Sequence, residues 1–485
     1  MRFFLAPPVA AAALVLGLSA RTSHGQAPAA GTAAAPGVGG ETEVVVSVTD
    51  ANGAPIRGLR ASDFVVLEDG APVRVDRVRP GPGAAAAKAG AAPADPTPAL
   101  LTLLVDGAGL AAPQAKAASD AAAEALAGFL SSPGAQVMVA AGWPSVKVIR
   151  PFTTDAGAAR EALESVFAGA GSESTSPTAG ADAAVESLDA FVVSLGGLPG
   201  RKALLYIGGG QRSAPAAGSP AAGDPLAAST APGQSGAPPA DRGLAEAANA
   251  AGVRVYTVDA GGGPAPGLRE AAAATGGTAA TAAAGAFTAM NADFLAAYTL
   301  TYLAPHGGDG AIHRLEVRVR REGAVVRAGL AARRAADEDR IAERTRAALR
   351  YGVTDNPLGI QLAAAFDAKP REGSPVVSVL VTIPLGGLSF APTKVAHECN
   401  LTLWLTARDA GGRTVQAPRA RLPVSVPNDR LLTALTQSVG YTFRVPLAAG
   451  PATFAVTVRD EIAMREATAV TVAAPADEPA KGESR

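Results

Sequence analysis

The sequence predicts an α/β plus β protein, with a doubly wound α/β domain between an N-terminal β module and a C-terminal immunoglobulin-like β-sandwich. Residues 99–290 alternate continuous apolar runs with helical segments, which is typical of a parallel sheet covered by helices on both faces. The segments on either side instead alternate polar and apolar residues with period two, as half-buried strands do. The length of 485 residues suits two or three such domains.

The N-terminus has the pattern of a secretory signal peptide, which we assign to residues 1–25. Arg2 precedes an apolar stretch over residues 3–18, and small residues follow it. The stretch is interrupted by two prolines and is short for a membrane span, so we expect cleavage and no stable membrane insertion afterwards. We therefore predict an exported protein, periplasmic or extracellular, whose mature chain begins with a linker over residues 26–40.

Residues 41–80 are predicted to form a small antiparallel β module. A strand pattern over residues 41–50 leads into a turn signal at 51–55, and alternating segments follow. A linker rich in alanine and proline, residues 81–98, then connects this module to the α/β domain.

The α/β domain, residues 99–290, is predicted from strand patterns at 100–105, 202–207 and 253–258 with helical segments between them. Residues 211–241 are rich in Pro, Gly, Ala and Ser and too long for an ordinary connection, so we predict a disordered loop there. Because this loop follows the carboxyl end of a strand, it would lie at the sheet edge where doubly wound domains bind ligands.

The remaining chain is predicted to be mostly β structure. Residues 291–334 contain alternating strands that we expect to associate with the N-terminal β module. The interleaved charges of residues 335–352 predict a solvated linker helix at the surface. Residues 353–475 repeat strand and turn signals and predict the immunoglobulin-like β-sandwich, and residues 476–485 are predicted to be a disordered tail.

Cysteine usage and net charge limit the possible stabilising bonds and partners. Cys399 is the single cysteine, so an internal disulfide bond is excluded and stability must come from packing. It lies in an alternating apolar run, which predicts a small buried hydrophobic residue and not a reactive thiol. The net charge of -1 offers no basic surface for nucleic acid.

Local sequence matches over most of the mature chain carry a family resemblance. They are the segments 48–53 and 61–70, the strand that ends at Asp106, the strands 201–207 and 252–258, the turn 275–277 and the strand 298–302. On these residues the chain resembles the von Willebrand factor A-related secreted proteins of acidobacteria. That family combines an N-terminal β segment, an A-type domain and trailing β structure, so the resemblance implies a von Willebrand factor A-like domain with a binding function.

The resemblance also implies where a metal site would lie. A-type domains often hold a divalent cation, commonly Mg²⁺, through Asp-x-Ser-x-Ser, a threonine and a later aspartate, because a hard cation needs oxygen ligands. Asp106 is present here, but Ala108 and Leu110 stand at the two serine positions. Thr178 matches the threonine, whereas Gly209 stands where the Ser-Asp-Gly pattern would supply the later aspartate.

We therefore predict a degenerate metal site, with Asp106 and Thr178 as its residual positions, no bound cofactor, and partner binding without a divalent cation. Two oxygen side chains hold Mg²⁺ poorly, because Mg²⁺ gives up its water ligands reluctantly. Asp106 is then expected to cap the strand-to-helix turn or to bond nearby backbone N–H groups. Residual Mg²⁺ binding at these two positions stays open as the alternative.

The sequence contains no convincing catalytic motif, and we predict that the chain is not an enzyme. His397 begins a His-Glu pair like that of zinc proteases, but Leu401 stands where the second histidine would be. His306 and His313 flank a glycine-rich hairpin, where solvent exposure is expected. The glycines at 261–263 depart from the spacing of dinucleotide-binding turns.

Together these observations predict an exported, non-catalytic binding protein that recognises a protein or a surface polymer through the A-type scaffold. Two alternatives stay open. One is a structural subunit of a cell-envelope assembly, in which the A-type domain only packs, and the other is a hydrolase of unknown type.

Overall fold

The structure is a computed structural model. The structure describes residues 41–81, 98–107, 110–142, 145–169, 181–208, 240–260, 266–281, 286–367, 375–448 and 450–474. The predicted signal peptide and its linker, most of the second linker and of the predicted loop 211–241, and the predicted tail lie outside the described residues.

Strands dominate both ends of the described chain, and helices are concentrated between them. The strands are β1 (Glu41–Thr49), β2 (Phe64–Glu68), β3 (Ala71–Val73), β4 (Val75–Pro80), β5 (Ala99–Val105), β6 (Ala135–Ala141), β7 (Lys147–Thr153), β8 (Arg201–Gly208), β9 (Val253–Asp259), β10 (Ala279–Ala280), β11 (Tyr298–Leu303), β12 (Ile312–Val319), β13 (Val325–Ala328), β14 (Ala331–Arg333), β15 (Gln361–Phe366), β16 (Val376–Pro384), β17 (Ala391–Pro392), β18 (Ala396–Arg408), β19 (Thr414–Gln416), β20 (Ala420–Pro427), β21 (Ser438–Pro446), β22 (Ala452–Asp460) and β23 (Arg465–Ala473). The helices are α1 (Ala112–Leu130), α2 (Ala156–Ala168), α3 (Ala181–Ser194), α4 (Ala240–Ala251), α5 (Pro266–Ala274), α6 (Ala286–Ala296), α7 (Asp337–Tyr351) and α8 (Leu431–Ala434). Within the described residues, no helix combines the length and apolar character needed to cross a membrane.

The central sheet has the strand order β10-β9-β8-β5-β6-β7. All of its neighbouring strands are parallel except β7, which runs antiparallel to β6 at one edge. Numbered within the domain, this is the doubly wound order 3-2-1-4-5-6. The α/β plus β class predicted from the sequence is therefore confirmed.

Strand β5 shows why this sheet forms from continuous apolar sequence. All seven of its residues are buried, because helices cover both faces of the sheet. Leu101 and Leu103 belong to the core on the side of α1, α2 and α6. Leu100 and Leu104 belong to the core on the side of α3, α4 and α5. Period-two alternation thus distributes one apolar run between two cores.

The N-terminal strands pair with strands that follow the α/β domain in sequence. Two four-stranded sheets result, with orders β13-β1-β11-β4 and β14-β12-β2-β3. In the first, β1 pairs antiparallel with β11, which places Glu41 opposite Leu303. The two sheets share one core that includes Val46, Phe64 and Tyr302. Long-range pairing therefore closes this β module around the inserted α/β domain.

Two buried charge clusters fix this β module. In the first, the Arg334 Nε atom donates to Glu68 at 3.0 Å, and the Tyr302 hydroxyl donates to the same carboxylate at 2.8 Å. In the second, Arg254 of β9 lies 3.2 Å from Asp293 of α6. The second cluster also contacts β1 and β13, so it joins the α/β domain to the β module.

The charged segment predicted as a solvated surface helix forms α7, which keeps an exposed face but buries its other face against the protein. Ile341 is fully buried, and Tyr351 packs in the core on one face of the central sheet. Arg340 pairs with Glu466 of β23, whose side chain is 5% exposed. Arg340 and Arg344 of this helix are thus paired with a strand more than a hundred residues away in sequence.

The C-terminal residues form two further sheets around one core. The sheets have the orders β15-β16-β21 and β17-β18-β22-β23, and β19 and β20 also pair with β18. Val379 and Val381 of the first sheet share a hydrophobic core with Leu403 and Val456 of the second. Alternating side chains of both sheets thus meet face to face, as in a β-sandwich.

Cys399 is 1% exposed on β18, and its Sγ atom lies 3.8 Å from the Asp460 carboxylate. Burial, reinforced by Asp460, raises the pKa of its thiol to about 12. We expect an aromatic disulfide reagent to modify the native protein more than about 100-fold more slowly than the guanidinium-unfolded chain, because the thiolate is the reacting form. The Cys399→Ser variant is the blank, and rapid modification of the native protein would contradict the buried placement.

Candidate functional site

The carboxyl ends of β5 and β8 form the topological switch point of the central sheet. The chain continues from β5 to β6 on one side and from β8 to β9 on the other. The two strands pair in parallel, with Val105 opposite Ile207. Because their connections diverge, these strand ends correspond to the place where doubly wound domains bind ligands.

Asp106 directly follows β5 and lies at this switch point. It is 2% exposed, and its backbone N–H donates to the carbonyl group of Ile207 at 2.7 Å. Its carboxylate accepts a hydrogen bond from the hydroxyl group of Tyr206 on β8. The sequence led us to expect backbone N–H donors or a capped turn, and it gave no indication of the tyrosine. The structure thus joins the two central strand ends through a side-chain hydrogen bond.

The other positions of the metal pattern supply no further ligand among the described residues. Thr178, Ala108 and Gly209 lie outside the described residues. Leu110 is 2% exposed and belongs to the apolar core on the α1 side of the sheet. The position of the second serine in the family pattern therefore lies among apolar side chains, where a hydroxyl group would lack a hydrogen-bond partner.

Gly208, the last residue of β8, leaves room for Tyr206. A Cβ atom at this position would lie 2.8 Å from the Tyr206 ring. Any larger residue would have to displace the ring whose hydroxyl group reaches Asp106. Glycine at position 208 is therefore compatible with the internal hydrogen bond of Asp106.

A second buried carboxylate at the same edge, Asp259, was missed by the sequence analysis. It ends β9 opposite Gly208 and is 3% exposed. Since β8 lies between β5 and β9, Asp106 and Asp259 are separated by two strand spacings, roughly 10 Å. The available signal was an apolar strand that ends in an aspartate, a feature that β5 and β9 share.

The expectation that His306 and His313 are both exposed was wrong for His313, which is 7% exposed. Its Nδ1 atom lies 2.7 Å from Asp69, and its Nε2 atom lies 3.1 Å from Asp309. Burial lowers the pKa of His313, but the hydrogen bonds to both carboxylates outweigh burial and raise it above its usual value. His306 stacks on this ring with the ring centroids 4.4 Å apart.

The remaining motifs considered for catalysis are placed as follows. His397 lies on β18 opposite Val426 of β20, so the His-Glu pair belongs to a strand and not to the helix that zinc proteases use. The glycines at 261–263 lie outside the described residues.

Comparisons with known proteins give distant structural likenesses only. No protein-family profile and no curated protein sequence matches the chain. One similar solved structure is a von Willebrand factor type A protein from Catenulispora acidiphila, 11% identical, covering 90% of this chain and 74% of that chain, with a TM-score of 0.26. An aerotolerance-related membrane protein from Bacteroides fragilis is 14% identical over 40% of this chain and 98% of that chain, with a TM-score of 0.26. The pilus adhesin SpaC from Lactobacillus rhamnosus GG is 10% identical over 78% of this chain and 56% of that chain, with a TM-score of 0.25. These TM-scores are low, so the likenesses assign no function to this chain.

Proposed function

We propose that this chain is an exported, non-catalytic binding protein with a von Willebrand factor A-like domain, which recognises a protein or a surface polymer without a divalent cation. The observation that carries the proposal is the placement of Asp106 at the switch point, buried and hydrogen-bonded by Tyr206. The ligand-binding edge of a doubly wound sheet is present, but its aspartate is occupied within the protein.

The contacts around Asp106 support recognition that does not depend on a metal ion. Mg²⁺ requires near-octahedral oxygen coordination at about 2.0–2.1 Å, and removing each of its water ligands costs free energy. One oxygen of the Asp106 carboxylate already accepts a hydrogen bond from Tyr206, and Leu110, at the position of the second serine, lies in the apolar core. We therefore infer that direct hydrogen bonds and apolar contacts along this edge bind the partner.

The surroundings of His313 and His397 support a role other than catalysis. A general base needs a free nitrogen within reach of a substrate proton. Both ring nitrogens of His313 already face carboxylates, and the Nδ1 atom of His397 is buried in the sandwich sheet, away from any substrate in solvent. Export, to the periplasm or the extracellular space, is proposed from the N-terminal pattern of Arg2 and the apolar residues 3–18.

Calorimetric titration of the purified chain with Mg²⁺, Mn²⁺ and Ca²⁺ tests the metal-independent site. We expect the heats of the wild type and of Asp106→Ala to be indistinguishable, because Asp106 holds no cation. A low-micromolar response that disappears in Asp106→Ala would overturn this part of the proposal.

Recovery of a partner tests the binding function itself. Immobilised mature chain is expected to retain one discrete protein or polymer from an envelope extract, with equal yield in the presence and absence of Mg²⁺. The Gly208→Leu variant places a large side chain at the switch-point edge and is expected to retain less of the partner. Equal yields from this variant and from the wild type would count against the site. Stable co-fractionation with an envelope complex would instead favour the structural-subunit alternative.

A further inference from the structure

A cluster of histidines and aspartates lies at one end of the β module, away from the switch point. It consists of Asp69 in the turn between β2 and β3, His306 and Asp309 in the loop between β11 and β12, and His313 on β12. We propose that Asp69, His306 and His313 bind a divalent transition-metal ion, with Zn²⁺ as the representative, and that Asp309 orients His313. This inference is independent of the proposed function.

Two of the distances between the proposed donor atoms are close to those of such a site. The Asp69 Oδ2 atom lies 3.5 Å from the His306 Nε2 atom and 2.7 Å from the His313 Nδ1 atom. In a tetrahedral site with ligands at about 2.0–2.1 Å from Zn²⁺, neighbouring ligand atoms are roughly 3.3 Å apart. The first distance is already suitable, and the second has to open by roughly 0.6 Å. The ion would take the place of the proton that now lies between His313 and Asp69.

Asp69 and His313 are held in the orientation that an ion needs. The Asp69 Oδ1 atom accepts a hydrogen bond from the backbone N–H of Arg314 at 2.9 Å, which turns Oδ2 toward the imidazoles. The His313 Nε2 atom faces Asp309 at 3.1 Å, which leaves Nδ1 on the Asp69 side. A metal-binding histidine whose other nitrogen donates to a carboxylate is the usual outer-shell arrangement of such sites.

His306 supplies the movable ligand. Its ring is parallel to that of His313, with an angle of 7° between the planes, so it has to tilt before both nitrogens can point at one ion. The His306 side chain is 42% exposed, which gives it room to do so. Asp69 is 43% exposed, so the fourth ligand position opens to solvent and a water molecule can fill it.

Glu68 also lies near this cluster, since one of its oxygens is within 4.8 Å of a nitrogen of each histidine. We exclude it as a ligand because its carboxylate is already bound by Arg334 and Tyr302. Imidazole nitrogens favour Zn²⁺, Ni²⁺ and Cu²⁺ over Mg²⁺ and Ca²⁺, so the site differs in chemistry from the A-type pattern. An ion here would clamp together segments that are 244 positions apart in sequence.

Calorimetric titration of the untagged full chain with Zn²⁺ tests the proposal. We expect one saturable site, with a thermal midpoint that rises on Zn²⁺ addition, and no competition from an equal concentration of Mg²⁺. His306→Ala removes an exposed ligand and is expected to raise the Kd for Zn²⁺ by more than about tenfold. Asp309→Asn, which keeps a turn-forming side chain, is expected to raise it by about 10–100-fold while the metal-free thermal midpoint changes little.

His397→Ala is the matched control, because it removes a histidine from the sandwich and is expected to leave the Kd for Zn²⁺ unchanged. Three results would overturn the proposal: no saturable binding of Zn²⁺ to the wild type, equal losses in His306→Ala and His397→Ala, or equal displacement by Mg²⁺. Should His306→Ala fail to fold, Co²⁺ loaded on the wild type gives the second measurement. Strong visible absorption of a four-coordinate ion supports the site, and a spectrum of hydrated Co²⁺ alone contradicts it.

Discussion

Replacing Arg334 by methionine is expected to lower the free energy of unfolding by about 3–5 kcal/mol, because it leaves a buried carboxylate without its counter-charge. Glu68 is fully buried, and the side chain of Arg334 is 3% exposed. The arginine donates from two nitrogens to Glu68 and also contacts the Tyr302 hydroxyl group. Urea unfolding monitored by circular dichroism measures the loss.

The double variant Glu68→Gln/Arg334→Met distinguishes the stability lost through an unpaired buried charge from the stability lost through poorer packing. The neutral amide still accepts the hydrogen bond from Tyr302, so we expect it to recover most of the stability lost in Arg334→Met. Arg419→Met, which breaks an exposed ion pair with Glu338, is the control and should cost less than about 1 kcal/mol. Equal losses in the two single arginine variants would mean that the Glu68 pair is not buried as described.

The Asp293→Ala variant is expected to lose a similar amount, about 3–5 kcal/mol, because it leaves two arginines close together without a carboxylate. Asp293 accepts hydrogen bonds from the Tyr256 hydroxyl at 2.6 Å, from Arg254 at 3.2 Å and from Arg327. Since Arg254 also donates to the backbone of β1, loss of Asp293 should weaken the contact between the α/β domain and the β module. Asp76→Ala, at an exposed pair with Arg74, is the control.

The pH dependence of this variant gives an independent test. Burial raises the pKa of Asp293, but Arg254, Tyr256 and Arg327 outweigh burial and hold it below its usual value. A carboxyl group with a lowered folded-state pKa adds stability above its unfolded pKa of about 3.9, and this stability is lost as the pH falls through the folded pKa. The gap between wild type and Asp293→Ala should therefore be constant near neutral pH and narrow in acid. If the difference in free energy of unfolding stayed unchanged down to roughly pH 2, the loss would be due to packing and not to charge.

Local sequence patterns were sufficient to predict an element wherever the burial of that element follows from its own residues. The apolar runs of β5, β8 and β9 indicated a sheet covered on both faces, and the order of strands and helices indicated a doubly wound fold. Asp106 could be placed at a strand end for the same reason. The hydrogen bond from Tyr206 to Asp106 could not be predicted from the sequence, because it depends on which strand pairs with β5.

The sequence by itself determined the α/β plus β class, the position of Asp106 at a strand end and the apolar surroundings of Cys399. Only the tertiary structure decided which charged side chains are paired. The interleaved charges of α7 would have the same sequence pattern in a fully solvated helix as in one that pairs with β23. Likewise, His313 contacts Asp69, which lies 244 positions away in sequence. Periodicity reports which face of an element is apolar, whereas a charge–charge contact depends on the three-dimensional path of the chain. That path brings residues 41–80 against residues 298–333, and so it places Asp69 beside His306 and His313, which no local pattern indicated.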